Sequence, residues 1–294
     1  MEKNWEYTMI IDFHYHFSQT KDDEYSLDID KNFIKESCAS FVDKICLFPY
    51  FVKTSYFINK ANNFILENPE NYILPSVRVR VPFSLKKDLQ VTLRALKSYK
   101  ISFLKKFFKS LIVVKHKKQV ILHKNINDIP TLESIPKNRY FLIKFHDYQD
   151  GTLTEEIFYK LLKFKKPMLF HISPYKLAYF LEKMHNINVP IIIAHLGKSG
   201  LGLNEESLAI TLAKQYDFIF LDTGGITDIT LLKKVLDNVP YKLVFGSDGP
   251  VFSPRAIELT LLDACKILKK NFDSILKIFE RNSHEILRFS NYLL

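Results

Sequence analysis

Only eight glycines and three cysteines occur in the 294 residues. No apolar run approaches the roughly 18 residues that a membrane-spanning helix needs. The longest, around Val189 to Ala194, has the length of a strand. Residues 1–6, Met-Glu-Lys-Asn-Trp-Glu, lack the apolar stretch of a secretory signal. These absences lead us to expect a cytoplasmic protein without a membrane segment. Cys38, Cys46 and Cys265 are odd in number and form no Cys-x-x-Cys pair. That argues against a disulfide framework or a cysteine zinc site, and all three read as small buried hydrophobes.

What is present points to an enzyme-sized core. The length suits one large domain, and single α/β barrels are commonly of this size. A hydrophobic content of 47% is ample for that core. The formal net charge is +10, from 42 basic and 32 acidic residues. Such a balance could reflect nucleic acid or an anionic substrate. The lysines are scattered, however, and locally dense only among Lys105, Lys106, Lys109, Lys115, Lys117 and Lys118. Solvated surface is the simpler account, and a nucleic-acid partner is not expected.

Short β-branched runs alternate with amphipathic stretches, the pattern of βα units and a parallel sheet. Strands are predicted at about 9–16, 44–48, 72–80, 140–146, 167–171, 190–195, 218–222 and 242–248. Helices are predicted near 57–67 and over 154–166, 175–186, 204–216, 227–238, 254–270 and 273–290. Eight strand–helix units make a (β/α)8 TIM barrel, a single α/β domain over 1–294. Its working face lies at the carboxyl ends of the strands. Residues 81–139 are too long for one crossover and read as an insertion after strand three, a candidate lid. It would hold a helix near 85–109 and a β-hairpin pairing 111–114 with 120–123. All eight glycines lie between 151 and 249, several of them beside the ends of strands six to eight. That placement suits βα loops, where sharp turns and close ligand approach are needed.

Polar residues stand where apolar strands end. Strand one closes on His14 and His16, two residues apart and so on one face. Strand four offers Lys144 and His146, strand five His171, strand six His195 and strand eight Asp248. A lone histidine after an apolar strand is more often a satisfied core residue than a ligand. Three further strands ending in histidine, with the pair and the aspartate, converge on the barrel's functional face. Three imidazoles and a carboxylate can hold a divalent metal and leave room for water. Such a metal lowers the pKa of that water toward ~7. A neighbouring carboxylate can take its proton, and a further histidine can hold the water or a developing oxyanion. His116, His123, His185 and His284 fall in the insertion or on helices and read as surface or packing residues.

The ordered set His14-x-His16, Ile143-Lys144-Phe145-His146, Leu169-Phe170-His171, Ala194-His195-Leu196-Gly197 and Phe245-Gly246-Ser247-Asp248-Gly249-Pro250 resembles the amidohydrolase superfamily. It is most similar to the amidohydrolase-related branch that includes aminocarboxymuconate-semialdehyde-type decarboxylases. The tail 277–283, with Asn282, fits that branch too. The resemblance covers nearly the whole chain except 81–139. It implies His14, His16, His171 and Asp248 as ligands of one metal, with Asp248 also the general base. His195 would orient the water or bind a second metal, while Ser247 and Asp222 would support the strand ends. Lys144 would be carboxylated and bridging in two-metal relatives, or a contact for an anionic substrate in one-metal relatives. One metal is the preferred reading, zinc first, with manganese or iron open. His146 would line the pocket or sit under the following loop. Gly249 and Lys198 depart from the branch at the pocket mouth, which bears on substrate rather than on metal.

The expected activity is hydrolysis of a small carbonyl-containing substrate: an amide, a lactone or an ester. The alternative is a lyase that decarboxylates an aromatic or muconate-like acid, its carboxylate held by Lys144, Arg78 or Arg80. A nuclease of the TatD type would suit the charge, but strands three and four end in Arg80 and His146 and offer no Glu. A non-catalytic binding barrel is the remaining class, and a homo-oligomer is compatible with all of these.

Overall fold

Alternating apolar side chains build two layers around one sheet. The computed structural model describes residues 9–17, 38–49, 62–63, 65–67, 70–98, 127–147, 149–184, 187–198 and 205–290. Eight parallel strands run in sequence order: β1 (Ile11–Phe17), β2 (Lys44–Pro49), β3 (Ile73–Arg78), β4 (Leu142–His146), β5 (Met168–His171), β6 (Ile191–Ile193), β7 (Ile219–Asp222) and β8 (Leu243–Val244). Backbone bonds join the last strand to the first: Phe13 N donates to Phe245 O at 2.9 Å, and Asp248 N to His14 O at 2.7 Å. The architecture is the expected TIM barrel.

Every strand sends an apolar side chain inward. Ile11, Phe13, Cys46, Phe48, Leu74, Leu142, Leu169, Ile192, Phe220 and Val244 form one buried cluster inside the barrel. The intervening residues, such as Ile143, Phe145, Phe170, Ile193 and Leu221, pack outward against the helices. This period of two is what a parallel sheet covered on both sides requires. The inner cluster is an apolar floor, and truncating a member such as Phe220 to alanine is expected to cost about 3–5 kcal/mol.

The helices are α1 (Leu85–Ser98), α2 (Ile129–Ser134), α3 (Glu155–Leu162), α4 (Pro174–Lys183), α5 (Glu205–Gln215), α6 (Ile229–Asn238), α7 (Pro254–Ile267) and α8 (Phe272–Ser290). Their starts follow local chemistry. Thr154 accepts from Ile157 N, and Asp228 accepts from Thr230 N and Leu231 N, while Pro174 and Pro254 open α4 and α7. No helix among the described residues is long and apolar enough to cross a membrane. Cys38, Cys46 and Cys265 are free thiols.

Of the segment 81–139, the structure describes α1, α2 and a 3-10 turn at Lys137–Arg139. The hairpin expected at 111–123, the lysine cluster at 105–118, and His116, His123 and His185 lie outside the described residues. Of the helix expected near 57–67, residues 62–63 and 65–67 are described as helical.

Strands β6 and β8 are shorter than expected. Each gives way early to residues in the left-handed region, His195 (φ +54°) and Leu196 (φ +52°) after β6, and Asp248 (φ +59°) after β8. Such a conformation costs a non-glycine residue about 1–3 kcal/mol and persists only where its surroundings hold it. Two residues singled out for chemistry therefore stand in strained backbone.

Candidate metal centre

A β-bulge sets the geometry of β1. Asp12 pairs with Ile45, yet Tyr15 pairs with Leu47, so one residue is extra. Phe13 stays in the inner cluster while Tyr15 joins the outer one with Ile45 and Leu47. The extra residue turns His14 into the barrel, and His16 shares its face.

His14 is fully buried. Its Nδ1 lies 3.0 Å from Asp222 Oδ2, and its Nε2 lies 3.2 Å from Asp248 Oδ1. His16 Nε2 lies 3.0 Å from that same oxygen. Asp222 also accepts, through Oδ1, from His195 N at 3.0 Å and Gly224 N at 2.7 Å. The His195 Nδ1 lies 2.7 Å from Gly224 O. A carbonyl only accepts, so Nδ1 of His195 carries the proton and Nε2 the free lone pair. The Asp222 carboxylate assigns the same tautomer to His14. Glycine is needed for this closeness: a Cβ at Gly224 would lie 2.8 Å from both Asp222 Oδ1 and His14 Nδ1.

Charge follows burial. Burial, and then the Lys144 ammonium, hold His14 well below its ordinary pKa and bring His16 down to about 4. Burial likewise brings Lys144 down to about 7. At Asp248 burial favours the neutral acid, but His14 and the His16 hydrogen bond outweigh it, and the carboxyl stays well below the usual range. Neutral imidazoles thus face an ionised carboxylate, the protonation states that metal ligands need. Among the described residues, one ligand atom each from His14, His195 and Asp248 falls within 4.8 Å of the others. His16 joins them through Asp248 Oδ1. This donor set fits a divalent metal.

Lys144 Nζ hydrogen-bonds His14 Nε2 and lies 3.4 Å from His16 Nε2. An ammonium and a metal would thus address the same two nitrogens. On the far side, the rings of His195 and His171 are 4.4 Å apart, and those of His171 and His146 only 3.9 Å.

No family model matches the chain, and no curated protein matches it either. Solved structures do. A probable 2-pyrone-4,6-dicarboxylic acid hydrolase from Acinetobacter baumannii, with citric acid bound, is 15% identical with a TM-score of 0.54, over 95% of this chain and 99% of that one. Amidohydrolase 2 from Bifidobacterium longum subsp. infantis is 14% identical with a TM-score of 0.55, over 96% and 99%. A 2,6-dihydroxybenzoate decarboxylase from Rhizobium is 12% identical with a TM-score of 0.53, over 97% and 100%. The chain shares the barrel of these hydrolases and decarboxylases.

Within that barrel, the structure brings His14, His16, Asp248, Lys144 and His195 to one point. His195, expected to orient water, groups with His14 and Asp248. His171, expected as a ligand, stands one ring further out, between His195 and His146. Arg80 turns away to Asp128, with Nε to Oδ2 at 2.7 Å. Arg78 is fully buried, and its Nε donates to both oxygens of Asp150 at 2.9 and 3.0 Å, while Nη2 reaches Gln149.

Two features escaped the sequence reading. Asp12 is buried, and its Oδ1 accepts from His14 N at 2.9 Å and Ser247 N at 3.0 Å, tying β1 to the turn that carries Asp248. A lone carboxylate inside Ile10-Ile11-Asp12-Phe13 was the available signal. The other is Lys176, buried between Asp88 of α1 and Asp147 after β4, 2.7 Å from each. Nothing in the local sequence around Lys176 marks it, because both partners come from other elements.

Proposed function

We propose that this protein is a metal-dependent hydrolase acting on a small, anionic, carbonyl-containing substrate such as a lactone, ester or amide. The observation that carries the reading is the convergence of His14, His16 and His195 on the ionised Asp248, with the tautomers of His14 and His195 fixed from behind by Asp222 and Gly224 O. His14, His16, Asp248 and His195 would hold one divalent metal, zinc first and manganese or iron next, with His171 able to complete the set. A metal held there supplies Lewis acidity and an acidified water. Asp248 accepts the proton of the attacking water and returns it to the leaving group as the carbon–heteroatom bond breaks. Lys144 meets the substrate's negative charge at the floor of the site.

The shared barrel supports this reading, and the Acinetobacter baumannii relative holds citric acid, an anion. The free thiols suit a cytoplasmic setting. We read 1–294 as one barrel domain, with 81–139 inserted after β3.

A lyase is the second reading, favoured by the cationic Lys144 beside the centre and by the Rhizobium decarboxylase of like fold. The test is elemental analysis of protein purified without added metal, followed by turnover of a lactone, ester and aromatic-acid panel. One metal per chain, with activity lost on chelation, is expected. Full activity in the chelated protein overturns the metal reading. Carbon dioxide release assigns the lyase.

A further inference from the structure

His146 is left over by the proposed reaction, yet its position is closely determined. It pairs in register with His171 across β4 and β5, so both side chains leave the sheet on one face, one strand spacing apart. Their ring centroids lie 3.9 Å apart. The series continues at 4.4 Å from His171 to His195, at 4.9 Å from His195 to His14 and at 5.1 Å from His14 to His16. Burial rises along it: His146, His171 and His195 are partly exposed, while His14 and His16 are buried. Five imidazoles thus run from the mouth of the barrel to the floor of the centre.

The backbone of the outer pair is anchored. His146 N donates to Asp150 Oδ2 at 2.8 Å, and Arg78 holds that aspartate. Asp147 N donates to His171 O at 3.0 Å, and Lys176 holds the Asp147 side chain. Arg78, the buried cation beside the outer pair, is neutralised by Asp150, and the Lys144 ammonium stands only at the inner end of the series, beside His14 and His16.

We propose that His146 and His171 form a docking vestibule for a divalent transition metal, from which the ion passes by way of His195 to the buried centre. The proposal rests on the metal reading above. A hydrated ion sheds its waters reluctantly. Imidazoles spaced 4–5 Å apart let it exchange one ligand at a time rather than lose several waters at once inside a buried site. A way-station on a path lowers the barrier equally in both directions. It therefore changes rates of uptake and release and leaves the equilibrium constant alone.

The test uses the full-length metal-free chain mixed rapidly with zinc or cobalt(II) against a chromophoric chelator. His146→Ala is expected to slow uptake about tenfold and slow release in the same proportion, one decade for each ~1.4 kcal/mol of barrier. Saturating metal content and dissociation constant should match the unsubstituted chain. His146→Gln, closer in shape and polarity, is the second variant should alanine disturb folding, with the same expectation. Unchanged rates in either folded variant overturn the vestibule. A weakened dissociation constant with unchanged uptake overturns it as well, because His146 would then be a ligand or prop of the resting centre. An unsubstituted chain that takes up no metal overturns the metal reading itself, and the vestibule with it.

Discussion

The two walls of the site are built on opposite principles. The wall formed by β1, β7 and β8 is carboxylate-rich: Asp12, Asp222 and Asp248 are each bound by imidazoles or backbone N–H groups within about 3 Å. The wall formed by β3, β4 and β5 carries Arg78, Lys144, His146 and His171, and its acids stand one layer behind, in Asp150 and Asp147. Acids in front fix lone pairs, and the histidines around Asp248 keep it ionised. Acids behind anchor Arg78, the His146 backbone and Lys176. The first wall is suited to holding a metal and moving a proton, and on the second it is Lys144 that is placed to meet an anion.

The sharpest way to break this comparison is Asp248→Asn. The amide keeps the shape but neither accepts the proton nor supplies a charged ligand. A fall of about 10³–10⁴ in kcat is expected, since general-base loss alone is worth roughly 10²–10⁴. Turnover and metal content measured on one preparation check it. Retained turnover would move the proton transfer to the other wall.

Lys176→Met tests the support behind the cationic wall. It leaves Asp88 and Asp147 buried without their shared cation, and removing one partner of a buried pair costs about 3–5 kcal/mol. Urea unfolding should register that loss. Metal affinity should hardly move, because the carboxylate wall is untouched. Asp222→Asn is the converse. It loosens the His14 tautomer, and loss of such a backing carboxylate lowers metal affinity about 10–100-fold. A large loss of metal in the Lys176 variant, or none in the Asp222 variant, would dissolve the distinction between the walls.

How much of this was legible beforehand follows the same division. The barrel could be read because each strand repeats apolar residues with a period of two between helical stretches, and neither signal depends on partners. Histidines at strand ends were visible for the same reason: each interrupts an apolar run. The bulge at 13–14 was not visible, since it exists only in the pairing of β1 with β2. The left-handed backbone of His195 and Asp248 was equally hidden, because neither is glycine and the cost is met by hydrogen bonds from distant residues. The grouping of His195 with His14 and Asp248 was hidden as well, because it depends on β6 ending early and turning.

Lys144→Met carries the smallest expected effect and bears most directly on the boundary between the walls. Its ammonium addresses His14 Nε2 and His16 Nε2, the atoms a metal needs, while burial and Asp248 pull its protonation in opposite directions. If Lys144 belongs to the substrate-receiving wall, methionine fills its volume, raises KM for an anionic substrate about tenfold, one lost charge-assisted contact, and changes kcat less. Metal content should hold or rise, because a competing cation has gone. Loss of metal in this variant would instead assign Lys144 to the metal wall as a ligand in neutral or carboxylated form. Restoration of metal binding by added bicarbonate in the unsubstituted chain, but not in the variant, would then identify the carboxylated form.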